Sequence, residues 1–282
     1  MTTYACEQSV PDYARPLHAW NPKRWYYASA RNFMRTIGQL SNGVQIGERY
    51  GFDSGVMLEY VYRNKSGGKN IIGRTIDRAF LDAPGWRGIR ERGEILKHEL
   101  KREIELRGGK ARLLDVACGG GRYALETLAS GARVESAVLR DYREENIESA
   151  QALAAQLGVT ARFEQADAFS DEDLARAEPK PNVIVVSGLH EIISDNALVK
   201  NHFRQLARIA DRPATLIFTI QPRHPQIEFI ARVLKSHTGG PWVMRLRPSE
   251  KTRRWAEEAG FKIRSISMDR QSIFGVVVAD LA

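Results

Sequence analysis

The stretch LLDVACGGGRY, residues 113–123, places one acid and three glycines at the end of an apolar run. Glycines at such a turn let the backbone approach a ligand with no Cβ in the way. A helix that follows them offers unpaired N–H groups at its N-terminus. Two chemistries use this arrangement. A dinucleotide site, G-x-G-x-x-G, holds a pyrophosphate on those N–H groups. Here the spacing is D-x-A-x-G-x-G, built from Asp115, Ala117, Gly119 and Gly121, and no third glycine stands three residues beyond Gly121. An acid inside the turn repels a pyrophosphate and suits a cationic or amine-bearing ligand. No Cys, His or carboxylate spacing points to a metal site, and no G-x-S-x-G elbow is present.

The elements that must position this turn begin at residue 111, where strand, loop and helix alternate. ARLLDVA, ARVESAVL, TARFEQA, NVIVVSG and ATLIFTIQ have strand character. GRYALETLAS, REENIESAQALAAQLG, DEDLARA, NALVKNHFRQLARIA, HPQIEFIARVLKSH and SEKTRRWAEEAG have helical character. NVIVVSG is continuously apolar, as a strand buried on both faces would be. Pro225 is allowed in a first helical turn, Ser249 is placed as an N-cap, and Gly158 and Gly260 close their helices. FKIRSISMD and SIFGVVVAD, joined by a short turn, form an antiparallel pair at the end. The expected fold is α/β, a Rossmann-like seven-stranded, mostly parallel sheet with an antiparallel last strand. It follows a helical N-terminal cap rich in aromatics and arginine (WNPKRWYYASARNFM, LEYVYRNK, GWRGIRERG), interrupted by the loop NKSGGKN. Residues 87–108 form a charged amphipathic helix with Ile89, Ile95, Leu96, Leu100, Ile104 and Leu106 as its apolar positions, ended by Gly108 and Gly109. The boundary is set between a helical lid or substrate segment, 1–108, and the sheet domain, 109–282.

In this order the motifs resemble the class I S-adenosylmethionine-dependent methyltransferases, whose first motif is acid-x-Gly-x-Gly-x-Gly. Asp115, Gly119 and Gly121 match, Ala117 replaces the first glycine, and Tyr123 lies just beyond; Cys118 is read as a small packing residue. The resemblance implies an acid after strand two for the ribose hydroxyls. Asp141 supplies it, with Glu135 as a mid-strand alternative and helix capping as Asp141's other role. It implies Asp167, Ala168 and Phe169 beside adenine, and Ser187 at the rim of strand four where donor and acceptor meet. His190 and Glu191 follow as base or acceptor-orienting pair, and His224 after strand five as a substrate contact. Tyr60, Tyr62, Arg87 and Arg90 belong to the lid segment, where an arginine could meet the donor's carboxylate. GFDSGVMLEYVYRNK, RTIDRAFLDAPGWRGIRERG, SGLHEII, QPRHPQIEFIARVLKSH and WVMRLR resemble a bacterial group of class I methyltransferases poorly defined by substrate. Some of that group are fused behind an α/β-hydrolase domain.

The implied cofactor is S-adenosylmethionine and the expected activity methyl transfer (EC 2.1.1.-) to a small-molecule or lipid-like acceptor. The alternative acceptor is RNA, because the formal net charge is +8 and the pI near 9.6. Against RNA, basic residues are interleaved with acids in REENIE and RERGE. No Asn-Pro-Pro-aromatic run and no Asp at the end of strand four are present, which disfavours amide-type and magnesium-dependent catechol-type methylation. A nicotinamide oxidoreductase is disfavoured by Asp115, and a donor-binding protein without catalysis is the remaining class. Two cysteines, Cys6 and Cys118, make a disulfide unexpected and a cytoplasmic setting the expectation. No transmembrane run or signal peptide is expected. The aromatic N-terminal segment is the expected surface of a homodimer contact.

Overall fold

The computed structural model describes Tyr13 and residues 15–282. Among these, helices come first: α1 (Pro22–Arg35), a 3-10 turn (Ile37–Leu40), α2 (Asn42–Tyr50), α3 (Gly55–Arg63), α4 (Ile71–Leu81) and α5 (Pro84–Leu106). Alternation follows through β1 (Arg112–Asp115), α6 (Arg122–Ala129), β2 (Ser136–Asp141), α7 (Glu144–Leu157), β3 (Arg162–Gln165), α8 (Asp171–Ala175), β4 (Val183–Val186), α9 (Asn196–Ile209) and β5 (Ala214–Ile220). The chain closes with α10 (Ile227–Val233), α11 (Ser249–Glu258), β6 (Lys262–Met268) and β7 (Gly275–Leu281). The chain divides into two compact units. One joins the residues up to Arg90 with Arg223–Leu246; the other joins Glu91–Pro222 with Arg247–Ala282. The division falls inside α5, so the greater part of that helix, from Glu91 on, belongs to the sheet unit and residues 223–246 to the helical one.

The helical unit is assembled from capped short helices. Asn21, Ser41, Ser54 and Asn70 each accept a backbone N–H at a helix start. Its aromatic core runs Phe52–Phe80–Trp86–Trp242, with Trp86 and Trp242 stacked at 5.7 Å. Gly47 is required there, because a Cβ would sit 2.2 Å from the Phe52 ring. Phe52 N donates to Lys235 O, and Asp53 accepts from Ser236 Oγ and His237 N, which ties residues 235–237 to the helices.

The sheet unit has the order β3-β2-β1-β4-β5-β7-β6. β1 to β5 pair in parallel, β7 runs antiparallel to β5, and β6 antiparallel to β7. β4 and β5 are apolar and buried along their length because helices cover both faces. One face packs Phe203, Leu206 and Trp255, the other Leu96, Leu100 and Ile104 of α5. Strand order reverses between β1 and β4, and the carboxyl ends of these strands frame the crevice where such sheets bind ligands.

Several local expectations shift. β2 continues through Arg140 to Asp141, because the buried Arg140 guanidinium is fully engaged by Glu164 Oε2 and the carbonyls of Asp173 and Arg176. Glu135, expected mid-strand, precedes β2 at the end away from the crevice and pairs with Arg112. α5 starts at Pro84 and leaves Leu106 exposed. α10 starts at Ile227, beyond Pro225. Ser249 is the first residue of α11, and Pro248 stands at the cap. No helix among the described residues is long and apolar enough to cross a membrane.

Candidate active site

Asp115 is the last residue of β1 and is fully buried. The hydroxyl of Tyr123, the second residue of α6, donates to its Oδ2 at 2.6 Å. Its other oxygen, Oδ1, has no hydrogen-bond partner. Burial raises this carboxyl to about 7; the nearby Asp141 charge adds to the rise and the Tyr123 hydroxyl opposes it. A buried carboxylate with one orphaned oxygen calls for a cationic or N–H-bearing partner. The turn beyond it is open. Gly119, at φ +56°, has nothing within 4 Å of where a Cβ would stand, so a ligand has room there. Gly121 has a different reason: at φ +65° its Cβ would meet Leu139 at 2.7 Å. Ala117 is half-buried between them and Asp115. Cys118 is buried, its Sγ donating to Gly119 O, and burial pushes its thiol well up, so it is a packing residue. Cys6 lies outside the described residues.

Asp141 ends β2 and holds the glycine turn. Its Oδ2 accepts from Gly119 N at 2.8 Å, and its Oδ1 accepts from Arg143 N and Asn146 Nδ2 at the start of α7. One carboxylate therefore contacts both the glycine turn and the residues that open α7, without supplying a side-chain cap to that helix. Oδ2 keeps a second lone pair beside the turn. After β3, Asp167 is exposed and its Oδ1 accepts from Phe169 N. Ala168 is buried. Phe169 is half-buried, its ring 4.8 Å from His202, and its carbonyl accepts from Gln205 Nε2. It lines the core as well as the rim.

The loop after β4 is held tightly. Gly188 N donates to Thr219 Oγ1 at 2.8 Å, and Ser187 is half-buried beside it. His190, expected as a rim base, is instead 2% exposed, with Nε2 2.9 Å from His202 Nδ1 and its ring against Phe203. Burial, His202 and Arg247 all push its imidazole well below the ordinary range, and burial lowers His202 to about 4, so both are neutral at pH 7. Glu191 is 6% exposed and both its carboxylate oxygens lack a hydrogen-bond partner. Two residues with no motif of their own shape this loop. Arg247 donates Nη1 to His190 O and Nη2 to Ile193 O at 2.5 Å each, and Nε to Asn196 Oδ1. Arg92, buried on α5 and stacked over Phe274 at 4.9 Å, brings its guanidinium within 3.7 Å of a Cβ on Gly188. A buried arginine in a charge-rich helix carries no sequence signature, because only the fold tells which face is covered.

In the helical unit, Tyr60 donates to the fully buried Asp77 Oδ2 at 2.5 Å, and burial with that bond raises its phenol well above the ordinary range. Asp77 also accepts from Ser41 Oγ, Gly43 N and Gly67 N. The Tyr60 hydroxyl is thus part of a structural node. His224 is buried, its Nδ1 accepting from Gln226 N before α10, and a Cβ on Gly85 would approach its Nε2 to 2.7 Å. Tyr62 is half-buried and Arg87 exposed.

The parallel sheet, with its glycine turn and acid at the ends of β1 and β2, defines a Rossmann-like fold of the methyltransferase type. The chain belongs to the family described as "Putative methyltransferase", whose pattern matches residues 3–281. It is 41% identical over 259 residues to the uncharacterized protein YnbC of Escherichia coli K12, covering 90% of this chain and 44% of that one. The chain thus spans less than half the length of that relative. A possible exported protein from Bordetella parapertussis has a similar structure, with TM-score 0.63 and 19% identity over 93% of this chain and 99% of that one. Magnesium protoporphyrin IX methyltransferase from Synechocystis PCC 6803, with bound SAH, is similar with TM-score 0.56 and 14% identity over 91% and 99%. These two are likenesses of fold.

Proposed function

We propose that this chain binds S-adenosylmethionine at the carboxyl ends of β1 and β2 and transfers its methyl group to a small-molecule or lipid-like acceptor. The carrying observations are the orphaned, buried Oδ1 of Asp115 at the end of β1 and the turn that follows, whose Gly119 stands against open space. The pairing suits a ligand with an ammonium group and disfavours a pyrophosphate, whose charge Asp115 would repel. Family membership supports the same reading.

In this reading Asp115 holds the donor's ammonium, and the backbone of Ala117 and Gly119 leaves room for its chain. Asp141 takes a ribose hydroxyl on its remaining Oδ2 lone pair, and Asp167, Ala168 and Phe169 border the base. The bound donor supplies a sulfonium methyl, already activated for displacement. What remains for the protein is to place the acceptor in line and remove its proton. Glu191 fits that role: a buried carboxylate with two unpartnered oxygens on a loop clamped by Arg247. His190 acts through its bond to His202, as a positioning residue for the Glu191 loop.

Calorimetry with S-adenosylmethionine, S-adenosylhomocysteine and NADH tests the cofactor. Binding of the first two at micromolar levels and no binding of the third is expected; the reverse order overturns the reading. Transfer of labelled methyl into an extract, sorted into lipid, RNA, protein and small-molecule fractions, assigns the acceptor. Label confined to RNA would overturn the acceptor class.

A further inference from the structure

The basic excess of the chain is not spread over it. Residues 13–47 contain five Lys and Arg and no acid, and residues 60–76 contain four and no acid. These nine exceed the net charge of +8 of the whole chain, so everything outside the two stretches is close to neutral. Eight of the nine side chains are exposed, and Arg31 is half-buried. Lys23 pairs with Glu228 and Arg31 donates to Arg232 O, so these two also fix α1 onto its own unit.

The same two stretches expose large apolar side chains. Trp20 is 88% exposed, Trp25 72% and Ile71 74%, and Tyr26, Phe33 and Ile72 are exposed with them. On α1 the inward face is Tyr27 and Met34, while Tyr26 and Phe33, seven positions apart, form an outward stripe. The stretches meet in space. The 3-10 turn after α1 ends at Leu40, whose carbonyl accepts from Lys69 N, and Ser41 bridges to Gly68. Gly73 lies so close to Leu40 O that a Cβ would stand 2.1 Å from it. Ile71 and Ile72, the first residues of α4, are exposed just beyond the loop joined to the end of the α1 segment.

Exposed tryptophan, tyrosine and isoleucine in stretches that carry nine Lys and Arg, with Lys23 and Arg63 paired to Glu228 and Glu59, is the composition of a surface that lies in a lipid interface. The aromatic rings settle at headgroup depth and the cations face anionic headgroups. We infer that this face of the helical unit docks on the surface of an anionic lipid bilayer. An RNA surface would explain the cations but not adjacent exposed isoleucines, which offer no stacking plane. The inference stands apart from methyl transfer, and binding is read without donor or acceptor.

Flotation with vesicles of phosphatidylglycerol in phosphatidylcholine, against pure phosphatidylcholine, is the test. Binding to the anionic vesicles that weakens with salt is expected, together with quenching of Trp20 and Trp25 emission by brominated lipid. The double variants Trp25→Ser/Tyr26→Ser and Lys65→Glu/Lys69→Glu, all at exposed positions, should each lower vesicle affinity by ~10-fold or more while the thermal transition is kept. Absence of flotation, equal flotation on neutral vesicles, or unchanged affinity in both variants overturns the inference. So does a structured RNA that binds through the same residues and displaces the vesicles.

Discussion

The amide of Gly119 donates to Asp141 Oδ2 over 2.8 Å, so the ends of β1 and β2 are joined by a side chain just where the sheet opens. The same carboxylate accepts from Arg143 N and Asn146 Nδ2 where α7 opens. Asp141→Ala should weaken S-adenosylmethionine binding by ~10-fold or more and lower stability by about 2 kcal/mol, from three donors left without an acceptor. Calorimetry and chemical denaturation measure both. Unchanged affinity in a folded variant removes Asp141 from the donor site.

Asp115 sets a pH dependence. Its carboxyl sits at about 7 in the fold against 3.8 for an ordinary aspartate. Between those values the unfolded chain is ionised and the folded one holds the proton, so this group's contribution to stability falls as pH rises through that window and levels off above 7. Ligand binding runs the other way, because the anion that meets an ammonium is populated only above 7. S-adenosylhomocysteine affinity should therefore rise from about pH 6 to about pH 8, at up to ~10-fold per unit below the pKa. Asp115→Asn should bind weakly and without this slope. A flat profile in the parent chain would refute the assignment.

Glu191→Gln separates chemistry from binding. The neutral amide keeps the shape but cannot take a proton, so turnover should drop by ~100-fold with donor affinity nearly unchanged. Stability should hold or rise, since a buried carboxylate without hydrogen bonds is removed. Parent-level turnover sinks the proposal for this residue.

Tyr60 and Asp77 give a contrasting pair. Asp77→Ala strands the Ser41 and Tyr60 hydroxyls and two amides, and should cost about 3 kcal/mol or more in denaturant unfolding. Tyr60→Phe removes one of those donors and should cost about 1 kcal/mol without changing KM. A raised KM for an identified acceptor would return Tyr60 to the substrate site.

How much of this was legible depends on whether the signal is local. Asp115, Gly119 and Gly121 could be placed from the sequence because turn chemistry and strand pattern coincide within a few residues. The mostly parallel sheet followed from alternation, and the antiparallel end from FKIRSISMD and SIFGVVVAD. Arg140 looked like a break after β2, yet β2 runs through it because Glu164 and two carbonyls satisfy its guanidinium, partners that no local pattern reveals. His190 was placed on the rim by its position after β4; its partner His202 lies on α9 and draws it inward. Residues 223–246 look like one more helix of the sheet repeat, but their partners are Phe52, Asp53 and Trp86 of the helical unit. Association of that kind depends on contacts distant in sequence, which periodicity does not record.

The Asp77 node has a consequence for encounter. One carboxylate fastens residues 41, 43, 60 and 67, so the glycine–lysine loop is shaped during folding, not at contact. Ile71 and Ile72 are then presented on a preorganised tip, and attachment there forfeits little conformational entropy.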